Sequence, residues 1–76
     1  MQLSWDLIRS FQAVADTGSL SAAARKLGLT QPTVGRHIDL IEDQLNMCVF
    51  VRGRDGMRLT DKGAELLGWA AEMGRS

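Results

Sequence analysis

Only three residues, Gly28-Leu29-Thr30, separate two stretches of helical periodicity. Before them, Leu20, Ala23, Ala24 and Leu27 recur at the spacing of one helix face, and after them Val34, Ile38, Ile41 and Leu45 do the same. So short a connection forces the two helices to cross at once and at close range. The residues at the crossing suit it. Ala24 is small, Gly28 accepts the positive φ a sharp turn needs, and Val34 can pack back under the preceding helix with Ile38 continuing the row.

The spacing Ala24-x3-Gly28-x5-Val34 describes a helix-turn-helix, whose second helix enters the DNA major groove. The alternative is three core helices with an ordinary glycine stop. Around the pair, other elements are legible. Leu7, Ile8, Phe11, Val14 and Ala15 mark a first helix over Trp5–Asp16, with Ser4 as N-cap, Asp6 in the first turn and Gly18 as stop. Ser19 or Ser21 caps the second helix. Thr30 caps the third, with Pro32 in its first turn, where a missing N–H costs nothing. Asn46 stops it.

The period then changes. Val49-Phe50-Val51 and Met57-Arg58-Leu59 read as short strands around the turn Gly53-Arg54-Asp55-Gly56. Thr60-Asp61 restarts a helix. Its apolar stripe is Ala64, Leu67 and Ala71, widened by Leu66, Ala70 and Met73. The expected fold is therefore mostly α: three helices, a β-hairpin wing and a C-terminal helix.

The 76 residues carry nine bases and nine acids, a net charge of zero that on totals argues against a nucleic-acid partner. The distribution argues otherwise. Leu20 to Ile38 holds Arg25, Lys26 and Arg36 and no acid, and Arg52 to Lys62 holds four bases against Asp55 and Asp61. Asp39, Glu42 and Asp43 crowd the far end of the third helix. Segregated charge permits a basic face on a neutral molecule; scattered solvated charge is the alternative. The lone Cys48 excludes a disulfide framework and a standard zinc site within the chain. No apolar run approaches the roughly 20 residues of a membrane span, and no signal peptide opens the chain. The expected compartment is the cytoplasm, at the nucleoid. No cofactor and no metal are expected. No nucleophile–base pair or phosphate loop appears, so no enzyme is expected.

Several sequence words in order resemble the LysR-type transcriptional regulators, from Leu7 to Gly63. Gly18-Ser19-Leu20-Ser21-Ala22-Ala23-Ala24 is similar to that family's "GSFTRAA", and Leu29-Thr30-Gln31-Pro32-Thr33-Val34 to its "VSQPALS". Ile41-Glu42-x-x-Leu45 with Val49-Phe50-x-Arg52 resembles "LE..LG..LF.R", and Leu59-Thr60-x-x-Gly63 matches "LT..G". The resemblance implies a winged helix-turn-helix, a homodimer formed through the last helix, and double-stranded DNA with a pseudo-palindromic operator as partner. It divides the chain into a DNA-binding domain over 1–59 and a linker or dimerisation helix from 60 to 76. It also implies an effector-sensing domain that this chain does not contain, so a small-molecule effector would act only through that missing part. Two departures stand out. Gly35 replaces a frequent serine, so either the backbone approaches DNA closely there or one contact is missing. Asn46 replaces the usual glycine.

Carried onto this sequence, the implied DNA contacts are Gln31, Pro32 and Thr33 at base edges, with Gly35 and Arg36 beside them. Ser21 would meet phosphate, and Arg52, Arg54 and Arg58 would meet phosphates or the minor groove from the wing. Ala64, Leu67 and Ala71 would form the dimer stripe. Each has a plainer reading. Gln31 and Thr33 also suit solvated first-turn positions, Arg54 a soluble turn tip, and Arg52 a structural ion pair with Glu42. His37 reads as a boundary histidine, Cys48 as an inert strand thiol, and Trp5 and Trp69 as packing or dimer contacts. The three acids at Asp39, Glu42 and Asp43 are tolerable if only the first two turns enter the groove, with Arg9 or Arg52 as their cationic neighbours. Rival readings are a winged helix of another regulator family, molybdate-responsive or MarR-like, and a winged helix used only for protein contact.

Overall fold

Serine and threonine set every helix start. In the computed structural model, which describes residues 3–73, the Ser4 hydroxyl accepts the N–H of Leu7 at the start of α1, Trp5–Thr17. Ser19, and not Ser21, caps α2, Leu20–Leu27, by accepting the N–H of Ala22 at 3.2 Å. Thr30 caps α3, Gln31–Leu45, through the N–H of Thr33. The strands β1, Phe50–Gly53, and β2, Gly56–Leu59, form an antiparallel hairpin around Arg54-Asp55. The last helix, α4, runs Asp61–Met73, and Thr60 accepts the N–H of Gly63 while donating to the Cys48 carbonyl.

The stops fall at the expected residues. Gly18, Gly28 and Asn46 all take left-handed backbone angles, and the Leu29 N–H reaches the Ala24 carbonyl at 2.9 Å to close the tight turn. α1 packs on both α2 and α3, and α4 returns to α1. The core is one cluster: Leu7, Phe11 and Val14 of α1, Ala23 and Ala24 of α2, and Val34, Ile38 and Ile41 of α3. Val49, Phe50 and Leu66 close it from the wing and α4. Phe11 and Phe50 meet with ring centroids 5.3 Å apart, which ties the wing to α1.

Two glycines weld the hairpin to the helices. The Gly18 carbonyl accepts the N–H of Met57 at 2.9 Å, and a Cβ on Gly56, at φ +116°, would lie 2.3 Å from that same oxygen. A Cβ on Gly63 would lie 2.1 Å from the Val49 carbonyl oxygen. Only glycine allows α4 to approach the strand entrance so closely, which explains the "LT..G" word in backbone terms.

The structure corrects three expectations. The first strand begins at Phe50, because the Val49 N–H goes to the Glu42 carboxylate and its carbonyl to the Thr60 N–H, leaving nothing for the ladder. Cys48 therefore precedes the strand, in an exposed connection. On α1, Ala15 of the expected apolar stripe is only half-buried, while Ser10 is fully buried. α4 turns Gly63, Leu66 and Ala70 inward and leaves the expected pairing stripe outside, with Ala64 and Ala71 exposed and Leu67 half-buried; the Met73 side chain lies outside those described.

Candidate nucleic-acid interface

The first turns of α3 have no apolar duty on their outer side. With Val34 and Ile38 buried, helical geometry turns Pro32 and Arg36 outward. Beside them an open groove of about 440 Å³ is lined by Leu20, Gln31, Pro32, Gly35, Arg36, Asp39 and Arg52. Three elements build it: the start of α2, one flank of α3 and the first strand of the wing. Residues 16 positions apart in sequence, Arg36 and Arg52, thus share one depression. Among the described residues no carboxylate lies within 4.0 Å of Arg36, Arg52 or Arg54. Their guanidinium groups have no internal ion pair to break before meeting a phosphate.

The remaining implied contacts are distributed around this groove. Ser21 is exposed in the first turn of α2, next to Leu20, where unpaired backbone N–H groups favour an anion. Thr33 lies on the other flank of α3, in a cleft with Arg9, Ser10 and His37. Its hydroxyl is 2.8 Å from that of Thr30, so it belongs to the helix cap as well as to the surface. On the wing, pairing sets Arg52 opposite Met57 and Val51 opposite Arg58. Successive side chains alternate across a strand, so Arg52 and Arg58 project from opposite faces of the ribbon. Arg58 is also 3.9 Å from Asp55. Arg54 stands alone at the tip.

The acidic half of α3 is put to separate uses. Glu42 does not pair with Arg52. Its Oε2 accepts the N–H of Val49 at 2.8 Å and of Phe50 at 3.4 Å, so backbone donors at the strand entrance replace the expected cation. Nor does Arg9 serve the acids: it lines the clefts beside α1 with Asp6 and Asp16. Asp39, expected to lie clear of the interface, lines the same groove as Gln31 and Arg36. His37 is a satisfied boundary residue, its Nδ1 2.6 Å from the Ser10 hydroxyl.

The family profile described as bacterial regulatory helix-turn-helix protein, lysR family, matches residues 5–64. The chain belongs to the LysR family. This LysR-family domain is 43% identical over 70 residues to the small neutral protease regulatory protein of Streptomyces coelicolor, covering 92% of the chain and 21% of that protein. It is 40% identical over 73 residues to the HTH-type transcriptional regulator YxjO of Bacillus subtilis, covering 96% of the chain and 24% of the relative. The chain therefore spans about a fifth to a quarter of the length of these relatives. Among solved structures it resembles the DNA-binding domain of CbnR in a DNA complex, with a TM-score of 0.89, 29% identity, and 99% and 84% of the two chains covered. The DNA-binding domain of BenM with catB site 1 DNA gives 0.87, 30%, 96% and 80%.

The match makes this LysR-family domain a DNA-binding module of transcription regulation and not an enzyme. It sets aside the molybdate-responsive and MarR-like alternatives. Among the described residues no helix is long and apolar enough to cross a membrane. Sequence reasoning missed two residues of the groove, Leu20 and Asp39, and the buried Ser10, which braces α3 from behind. Asp39 was legible in part, since it follows Arg36 by three residues, the spacing of helix neighbours.

Proposed function

We propose that α3 enters the major groove of double-stranded DNA with its N-terminal turns leading, and that the chain reads sequence there as one half of a homodimer. The groove that gathers Gln31, Pro32, Gly35, Arg36 and Arg52 carries this reading. Glutamine suits adenine bidentately, arginine suits guanine, and an apolar edge suits a thymine methyl. Thr33 and the α3 N-terminus meet the adjoining phosphate. Ser21 and the wing arginines Arg52, Arg54 and Arg58 hold the backbone, and because Arg52 and Arg58 project oppositely they meet different stretches of it. The DNA-binding domains of CbnR and BenM, to which the chain is similar, are solved with DNA, which supports DNA as the partner.

The domain division we propose is a DNA-binding part over 1–59 and a pairing helix from 60 onward. Ala64 and Ala71 are exposed, and Trp69 is 42% exposed, so α4 has apolar surface left for a second copy beside the partly covered Leu67. A two-fold contact there would set two recognition helices about 34 Å apart on a pseudo-palindromic operator. An effector would act through a separate domain, in the cytoplasm.

A gel shift with random duplex at low and moderate salt tests the reading against a protein-only adaptor. The unaltered chain should bind, more weakly as salt rises, and Arg36→Ala should lose about 1–3 kcal/mol of affinity with an unchanged melting curve. Absence of any salt-dependent binding would leave the adaptor reading standing.

A further inference from the structure

Asp39 is exposed in a groove otherwise furnished with Gln31, Arg36 and Arg52. It follows Arg36 by three residues, on the same flank of α3. That spacing advances about 4.5 Å along a helix axis, more than the roughly 3.4 Å rise of one base pair and less than that of two. Among the described residues no cation lies within 4.0 Å of its carboxylate. The neighbouring Glu42 is occupied by backbone N–H groups, and Asp43 does not line the groove. Asp39 is therefore a carboxylate presented where the other polar groups suit DNA, with no structural partner of its own.

A carboxylate there is repelled by phosphate and accepts hydrogen bonds only. In the major groove the cytosine N4 amino group is the donor that aspartate accepts, while guanine offers O6 and N7 acceptors to arginine. Arg36 and Arg52 line the same groove as Asp39 and offset the repulsion as the helix enters. Resting on the reading that α3 enters the major groove, we propose that Asp39 is a specificity-determining residue. It accepts a hydrogen bond from a cytosine amino group at the base pair next to the one Arg36 reads. Its second effect is to weaken binding wherever that cytosine is absent, because the charge then meets DNA without a donor.

The test is selection from a pool of random duplexes by the unaltered chain, Asp39→Asn and Arg36→Ala, with random-duplex gel shifts for all three. The unaltered chain should enrich cytosine at one position by about ten-fold over other bases. Asp39→Asn should switch that position to adenine, because a side-chain amide pairs bidentately with adenine N6 and N7. It should also bind random duplex several-fold more tightly, having lost a charge that opposes phosphate. The proposal is overturned if Asp39→Asn selects the same sequence as its parent, or if the parent enriches no cytosine. Arg36→Ala separates the two levels. If it too changes neither affinity nor sequence, the groove reading fails; if it changes them and Asp39→Asn does not, only the role of Asp39 fails.

Discussion

Gly35 sits inside α3 and Gly63 in the first turn of α4, where glycine costs up to about 1 kcal/mol relative to alanine, yet alanine should act oppositely at the two sites. At Gly35 an added Cβ would meet only a methyl of Leu20 at 3.9 Å, an ordinary contact. Gly35→Ala should therefore stabilise by about 1 kcal/mol and raise the melting temperature by about 4–8 °C for a domain of this size. At Gly63 the Cβ would fall 2.1 Å from the Val49 oxygen and 2.9 Å from a Leu59 methyl. The carbonyl must move by about 1 Å to restore normal contact, and it also accepts the Thr60 N–H at 3.0 Å. Overpacking of about 1–3 kcal/mol and a weakened hydrogen bond of about 1 kcal/mol outweigh the helix gain of about 1 kcal/mol. The net loss for Gly63→Ala is about 1–3 kcal/mol, a fall of about 4–24 °C. Thermal melts followed by circular dichroism, at one fixed protein concentration because the proposed dimer would add stability by mass action, measure both. Equal shifts of the same sign in the two variants would refute the packing argument.

The Glu42 carboxylate serves the buried entrance to the wing, so Glu42→Ala should cost about 2 kcal/mol in urea unfolding by stranding the Val49 N–H, and Glu42→Gln should recover part of it. For the dimer, Ala71 is the cleaner probe because Leu67 also packs on the core. In sedimentation, Ala71→Asp should weaken self-association without lowering the monomer's stability, whereas Leu67→Asp should do both; a parent that is monomeric at all concentrations would end the dimer proposal. The Asp16 carboxyl is held below its ordinary value, first by its hydrogen bond to Lys26 and then by that ammonium's charge. A lowered folded value means that the pair's contribution is complete above the unfolded carboxylate value and fades as pH falls through the folded one. Both groups are exposed, so the effect on melting is small; NMR titration should show the Asp16 midpoint rising in Lys26→Met, and an unmoved midpoint would count against the pair.

Local physics made most of the fold legible in the sequence. Caps and stops act through their own backbone neighbours, so Ser4, Thr30, Gly18, Gly28 and Asn46 announce the helix ends without knowledge of the rest. Periodicity likewise exposes Val34, Ile38 and Ile41, because a buried stripe is a property of one helix. Tertiary structure decided whatever depends on two distant segments meeting. Glu42 chose backbone donors over Arg52 because the turn at Asn46 brings Val49 and Phe50 back to it, and that turn's path is not encoded in charge. Ser10 could be buried because His37 arrives beside it from α3. Gly63 reads in sequence as a helix weakness and becomes a necessity only when the Val49 carbonyl lies against it. The groove is the extreme case: Leu20, Arg36, Asp39 and Arg52 belong to three elements, and only the packing of α2 and the wing around α3 makes them one surface. Burial and capping are solved within a few residues of chain, whereas a binding surface is an agreement among elements that share no local interaction.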